Sequence, residues 1–354
     1  MQDVNYLDAT YPALAASAKR VMLANLPTPV RRTRIVHDGH ERDITVKLDN
    51  LSGKQYGGNK VRKLEYLLGV HKRKPIERYA TFGTVGSNHA LATAIYAREL
   101  GVHCTCFLAH QKRVPGIVPA LAMQARLGTE MVRYGGAYSA RLKTLREHLW
   151  NRHAWVIPAG GSSWTGTLGF VNAGLELAKQ VRNGELPEPQ RLYVATGTMG
   201  TAAGLALGLA LAGLSTEVQA VRVSDTSISN ERALLRLILK TATMMHAADA
   251  SIPADLADRA KVRLRHSFFA GGYAHSDSRI EEAVRLAREQ LDLDLEVTYT
   301  GKAMAALLSD LGSARHGEEF LFWNTYNSAA LPLGRNENID LSAIPAEFHR
   351  YFEQ

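Results

Sequence analysis

The sequence predicts an α/β protein of open, mostly parallel sheets flanked by helices, and three observations carry that expectation. From about residue 79 to residue 323, short apolar runs alternate with longer amphipathic stretches, an order that lays crossover helices on both faces of a parallel sheet. Several of the short runs end in Gly- and Thr-rich loops that pass at once into a helical pattern. The chain, at 354 residues, is long enough for about two domains with buried cores.

Taken in order, the chain opens on a helical pattern over residues 13–23, followed by LPTPVRRTRI, where two prolines predict an extended connection. Apolar–polar alternation marks residues 44–48 as a strand. Further strands are expected at 79–82, 103–109, 131–134, 155–158, 192–195, 218–223 and 320–323, each a short apolar run bounded by turn residues. Helices are expected at 87–100, 116–126, 139–151, 168–181, 201–211, 230–245, 277–290 and 302–311, where apolar residues recur every three or four positions. The Gly-, Ser- and Thr-rich stretch PAGGSSWTGTLG, residues 158–169, is the break most like a domain boundary. NGELPEPQ forms a second irregular stretch, and no internal repeat, low-complexity tract or heptad pattern occurs.

Composition narrows the function classes. Hydrophobic residues make up 46% and charged residues 21% of the chain, and no window approaches the ~18 uninterrupted apolar residues of a membrane helix. The first twenty residues lack a basic segment followed by an apolar core, so a secretory signal is not expected and a cytoplasmic location is. Cys104 and Cys106, the two cysteines, are expected on opposite faces of a strand and unpaired, as buried thiols in a reducing compartment. His103 beside them completes no metal-ligand spacing, and no metal is expected. The net charge of +8 is spread over dispersed Arg and Lys residues without an aromatic-interleaved basic stripe. That pattern speaks against nucleic acid and suits a phosphate-bearing cofactor and anionic amino-acid substrates.

The chemistry centres on QYGGNKVRKLEYLL. Two glycines and an Asn lead into an amphipathic run, so Lys60 falls where a flexible loop becomes the first helical turn. There the helix end and the like charges of Arg62 and Lys63 are expected to lower its pKa and make it a nucleophilic amine able to form a Schiff base. A solvated Lys-Arg-Lys face on a surface helix is the plainer alternative. In RLYVATGTMGTAAGLALG a strand runs into Gly197, Thr198, Met199, Gly200 and Thr201 and then a small-residue helix. Backbone N–H groups and Thr hydroxyls gathered at that helix end suit a phosphate dianion. The spacing matches neither the dinucleotide nor the Walker motif. In ATFGTVGSNHALATA, Ser87 or Asn88 is a natural helix cap that could also face a cleft at the sheet edge. Tyr273, Tyr299 with Thr300, and the polar run Asn324, Thr325, Asn327 read in isolation as loop, cap and turn residues.

Together these segments resemble one family. GGNKVRKLE, GSNHALATA, GGSSWTGTLGFV, GTMGTAAGLALG, YTGKAM and LFWNT occur in the order and approximate spacing of the fold-type II pyridoxal phosphate (PLP) enzymes that include 1-aminocyclopropane-1-carboxylate deaminase and D-cysteine desulfhydrase. The resemblance spans about residues 25–330 and implies a tryptophan synthase β-like fold. Its large PLP-binding domain would be residues 1–58 with 170–354, its small domain residues 59–169, and its assembly a homodimer. It implies Lys60 as the Schiff-base lysine, Asn88 as partner of the cofactor's phenolic oxygen, and Ser87 as a substrate-facing hydroxyl. Lys63 and Gly197 to Thr201 would hold the phosphate, Tyr299 and Tyr273 would flank the substrate, and Thr325 would face the pyridine nitrogen.

Departures bear on the substrate. Where relatives read QSNHARQ, this chain has Gly86 and Leu91; where desulfhydrases read HTGG, it has Asn324, Thr325, Tyr326 and Asn327. Thr300 stands where the cyclopropane deaminases carry Glu. The expected reaction is therefore α,β-elimination on a small amino acid such as D-cysteine, giving pyruvate, ammonia and sulfide. Ring opening or β-replacement by the same lysine, and a non-catalytic protein that retains PLP, are the alternatives.

Overall fold

Ten strands divide between two sheets in a computed structural model that describes residues 5–136, 138–149, 154–315, 317–331 and 339–353. The chain begins with two short helices, α1 (Tyr6–Thr10) and α2 (Pro12–Ser17), in place of the single helix expected over 13–23. Beyond Ala18 the backbone turns instead to Glu65. The N–H of Val21 donates to its carbonyl at 2.9 Å, and those of Leu23 and Ala24 to its carboxylate at 3.0 Å each. Tertiary hydrogen bonds thus override the local helical pattern.

β1 (Val30–His37) then pairs antiparallel with β2 (His40–Lys47). The expected extended connection is in fact this strand. Being at the sheet edge, it buries little besides Ile35 and carries arginines elsewhere, which hides the usual apolar signal. α3 (Asn59–Leu67) leads to β3 (Arg78–Thr84), α4 (Asn88–Glu99), β4 (His103–Ala109), α5 (Ile117–Arg126), β5 (Glu130–Arg133), α6 (Tyr138–Leu149) and β6 (Ala154–Ile157). The expected last residues of α6, Trp150 and Asn151, lie outside the described residues. α7 (Trp164–Arg182), β7 (Arg191–Thr196), α8 (Gly200–Leu211), β8 (Glu217–Arg222), α9 (Glu231–Ala248), α10 (Leu256–Arg259), β9 (Val262–Arg265), α11 (Ser278–Leu291), α12 (Thr300–Leu311) and β10 (Phe320–Trp323) follow.

One sheet runs β1-β2-β10-β7-β8-β9 and is parallel except for β1; the other runs β5-β4-β3-β6 and is parallel throughout. This is the α/β arrangement the sequence predicts. Leu168, Phe170 and Leu205 from α7 and α8 pack with Trp323 on one side of the larger sheet, and Met304 of α12 with Tyr193 and Phe322 on the other. Leu91 and Ile95 of α4 and Leu121 of α5 cover the smaller sheet.

Two local expectations fail for physical reasons. Residues two apart on a strand share a face, so Cys104 and Cys106 point the same way. Their sulfurs lie 3.8 Å apart, both buried and both free thiols. The Gly-rich stretch 158–169 is irregular only in its first part, because Ser163 accepts from the Gly166 N–H at 3.2 Å and starts α7. Its glycines serve close packing: a Cβ on Gly169 would lie 2.1 Å from the Arg62 carbonyl oxygen.

Candidate active site

The GGN turn before Lys60 is clamped to the end of β10. The Asn59 N–H donates to the Thr325 carbonyl at 3.1 Å, the Gly57 N–H donates to Asn327 Oδ1 at 2.6 Å, and Ser52 Oγ donates to the Gly58 carbonyl at 2.8 Å. Gly58 has φ 83°, and a Cβ there would stand 2.5 Å from the Thr325 carbonyl oxygen, so only glycine fits. Lys60 in the first turn of α3 consequently faces a cavity of about 490 Å³. Lys63, Ser87, Asn88, Gly197, Thr198, Met199, Gly200, Thr201, Tyr273, Tyr299 and Thr325 line the same cavity. The structure thus brings every sequence-predicted site residue together.

Burial lowers the Lys60 pKa to about 8. The helix end and the like charges of Arg62 and Lys63, expected to cause that shift, are replaced by burial as its cause, and Arg62 points away and is fully paired. Its guanidinium reaches Asp49 at 2.7–3.0 Å and Glu176 at 2.9 Å, and Lys47 joins Glu176 at 2.6 Å. The solvated Lys-Arg-Lys face is likewise ruled out, since Arg62 and Lys63 are both buried. Lys63 donates to the Gly160 carbonyl at 3.1 Å and to Ser162 Oγ at 3.4 Å. Burial first, and Lys60 second, hold its pKa well below the ordinary lysine value. Half-buried Lys60 and buried Lys63 face one cavity, and two neighbouring amines there make a site that favours a negatively charged ligand.

A cradle for such a ligand adjoins them. Met199, in the left-handed region at φ 67°, turns the chain from β7 into α8. The Gly200 N–H donates to Ser162 Oγ at 3.1 Å, Ser162 Oγ lies 2.7 Å from Thr198 Oγ1, and Asn59 Nδ2 donates to Thr201 Oγ1 at 3.0 Å. A Cβ on Gly200 would come within 2.8 Å of Lys63 Nζ and 2.6 Å of Ser162 Oγ. Helix end, hydroxyls and lysine therefore converge on one small volume.

Opposite, Ser87 caps α4 by accepting from the Ala90 N–H at 3.2 Å, and Tyr56 donates its hydroxyl to Asn88 Oδ1 at 2.9 Å. The hydroxyls of Tyr273 and Tyr299 lie 2.6 Å apart. Burial foremost, with Tyr273 next, raises the Tyr299 phenol well above its usual pKa. Glu296 fixes Tyr299 by accepting from the N–H groups of Tyr299 and Thr300 at 2.8 and 2.9 Å and of Thr298 at 2.7 Å.

Residues 21–325 match the family described as pyridoxal-phosphate dependent enzyme. The chain belongs to that family. It is 32% identical over 323 residues to the D-cysteine desulfhydrase of Klebsiella pneumoniae (strain 342), covering 88% of this chain and 95% of that protein. It is 31% identical over 322 residues, with the same coverage, to the D-cysteine desulfhydrase of Salmonella schwarzengrund (strain CVM19633). A solved ACC deaminase homologue superimposes with a TM-score of 0.72 at 28% identity, over 89% of this chain and 93% of that one.

For a pyridoxal-phosphate-dependent enzyme the residues present fit the cofactor. Lys63 and the Ser162–Thr198–Gly200 cradle suit its phosphate, and a cavity polar at Asn88 and Thr325 suits its ring. Sequence reasoning missed Ser162, which lay in the supposed boundary stretch, and Glu296, four residues before Thr300 and detectable only as a capping acid. It also missed Lys302, whose Nζ donates to the Phe269 and Gly272 carbonyls at 2.7 and 3.0 Å and so ties down the Tyr273 loop. Of the departures from the relatives, Tyr326 lines the cavity, whereas Asn327 clamps Gly57 and Leu91 lies in the core. Gly86 faces Gln111, whose Nε2 would be 3.0 Å from a Cβ added there.

Proposed function

We propose that this pyridoxal-phosphate-dependent enzyme is a lyase that eliminates the β-substituent of a small amino acid, with D-cysteine as the substrate of choice. When bound, the cofactor supplies an electron sink for bond breaking at the substrate's α-carbon. Lys60 would be its point of covalent attachment, and the Lys60 amine would serve as the base that takes the substrate's α-proton. As the C–S bond breaks, sulfide leaves, and the released enamine hydrolyses to pyruvate and ammonia. Lys63 and residues Gly197 to Thr201 would hold the phosphate, and Asn88 would donate to the ring's phenolic oxygen. Ser87, Tyr273 and Tyr299 flank the substrate. The Thr325 hydroxyl, which lines the cavity, would face the ring nitrogen and could not hold it protonated as a carboxylate would.

The observation that carries this reading is the half-buried Lys60, its amine brought to about 8, facing one cavity with the buried Lys63 and a hydroxyl-lined cradle. Similarity to proteins named D-cysteine desulfhydrase supports elimination over ring opening. So does Thr300, whose hydroxyl is engaged with Glu296, donating to its carboxylate at 3.3 Å and accepting from its N–H at 3.1 Å. The reading includes a large domain of residues 1–58 and 170–354, a small domain of 59–169, a homodimer and a cytoplasmic location. The free thiols support the location, and the membership of β3 to β6 in one sheet supports the small domain.

Incubation with D-cysteine, L-cysteine and 1-aminocyclopropane-1-carboxylate, scoring sulfide, pyruvate and 2-oxobutyrate, tests the assignment. Equal amounts of sulfide and pyruvate from D-cysteine are expected. Production of 2-oxobutyrate without sulfide would replace elimination by ring opening, and no product from any of the three would overturn the proposed substrate class.

A further inference from the structure

Asn88 has two unlike ends: Oδ1 accepts hydrogen bonds and Nδ2 donates them. A partner for the cofactor's phenolic oxygen must present the donor end, and the terminal torsion of an Asn side chain is broad and roughly two-fold. The capping bond of α4 belongs to Ser87, so it does not settle which way the carboxamide of Asn88 turns. Tyr56 does. It sits in the loop just before the Gly57–Gly58 turn, 4% exposed, and its hydroxyl reaches Asn88 Oδ1 at 2.9 Å from outside the cavity lining. Burial raises the Tyr56 phenol, with Tyr326 and Glu296 adding to the shift, so the hydroxyl keeps its proton and can donate. The loop that carries it is rigidly seated. Tyr96 donates its hydroxyl to the Tyr56 carbonyl at 2.6 Å, and a Cβ on Gly53 would stand 2.2 Å from that same carbonyl oxygen.

We propose that Tyr56 is a positioning residue that holds Asn88 Oδ1 from behind and so aims Nδ2 into the cavity as a hydrogen-bond donor. The inference rests on the assignment of Asn88 to the cofactor's ring hydroxyl made above. Without the Tyr56 hydroxyl the carboxamide is released to flip, and half of its orientations would place an acceptor against an oxygen that carries negative charge.

Tyr56→Phe removes one oxygen and keeps the ring, and it is compared with Asn88→Ala, Asn88→Asp and the double variant Tyr56→Phe/Asn88→Ala. The readouts are the PLP affinity of the cofactor-free protein, followed by fluorescence, and the pH midpoint of the bound cofactor's visible absorbance change. Neither readout requires turnover. Tyr56→Phe is expected to weaken PLP by about tenfold, the scale of one hydrogen bond to a charged group, and to move the midpoint in the same direction as Asn88→Ala. Asn88→Asp, which has no donor end when ionised, should reproduce the loss. In the Asn88→Ala background the Tyr56 change should add nothing. Wild-type behaviour of Tyr56→Phe beside an impaired Asn88→Ala, or additive losses in the double variant, would overturn the positioning role and leave the proposed function standing. Wild-type PLP binding and absorbance in Asn88→Ala would instead remove Asn88 from the cofactor site, and this inference with it.

Discussion

Lys60 and Lys63 stand one turn apart on α3, and both are pushed below their ordinary pKa, foremost by burial. For Lys60 the folded value, about 8, lies below the unfolded value near 10.5, so its charged form is destabilising in the folded chain. Between about pH 8 and about 10.5 the unfolded chain binds more protons, and the cofactor-free protein therefore gains stability from this group as pH rises through that window. Acetylation of the cofactor-free protein across a pH series, quantified by peptide mass spectrometry, should give Lys60 a reactivity midpoint near 8. A midpoint at the ordinary lysine value would contradict its burial. Lys60, Ser87, Asn88 and the 197–201 loop were legible in the sequence because each lies where a strand or loop turns into a helix, a junction marked by local residue types. Tyr56, Ser162, Glu296 and Lys302 were not, because each acts through a partner from a distant part of the chain.

At the scale of the element, α3 presents Lys60 to the cavity because its other side is anchored by Arg62 to Asp49 and Glu176. Burial alone would raise the Glu176 pKa, but Arg62 and Lys47 outweigh it and hold the carboxyl at about 2. Its stabilising contribution is complete above the unfolded carboxyl value and is lost as pH falls from there toward about 2. Glu176→Gln should cost about 3–5 kcal/mol in urea denaturation, since it strands buried cations; a cost near zero would mean that the network does not anchor the helix. Gly200→Ala acts on a second element, the start of α8, where the added Cβ meets Lys63 Nζ and Ser162 Oγ. It should weaken PLP at least tenfold while leaving pyridoxal, which lacks the phosphate, almost unaffected; equal losses for both would place the phosphate elsewhere. Central strands such as β4 and β10 were readable because most of their residues are apolar and buried. Edge strands β1 and β9 alternate arginines with sparse apolar residues and carry too weak a period to be found.

For the whole molecule, the cavity is built from both sheets: α3, β3 and α4 on one hand, the β7–α8 loop and the end of β10 on the other. A ligand that binds there holds the two sheets together and stabilises only the folded chain. PLP at a hundredfold excess over its dissociation constant should add about 2.7 kcal/mol to unfolding, and a melting temperature insensitive to PLP would oppose a site of this construction. The alternation of strand and helix was enough to give the class of fold; which strands join which sheet depends on packing between distant segments and came only with the structure. The central claim is that the Lys60 side chain carries the cofactor. Borohydride reduction of the PLP-loaded protein, followed by proteolysis and mass spectrometry, should place the phosphopyridoxyl group on Lys60 alone, whereas a label on Lys63 or any other lysine, or none at all, would contradict it.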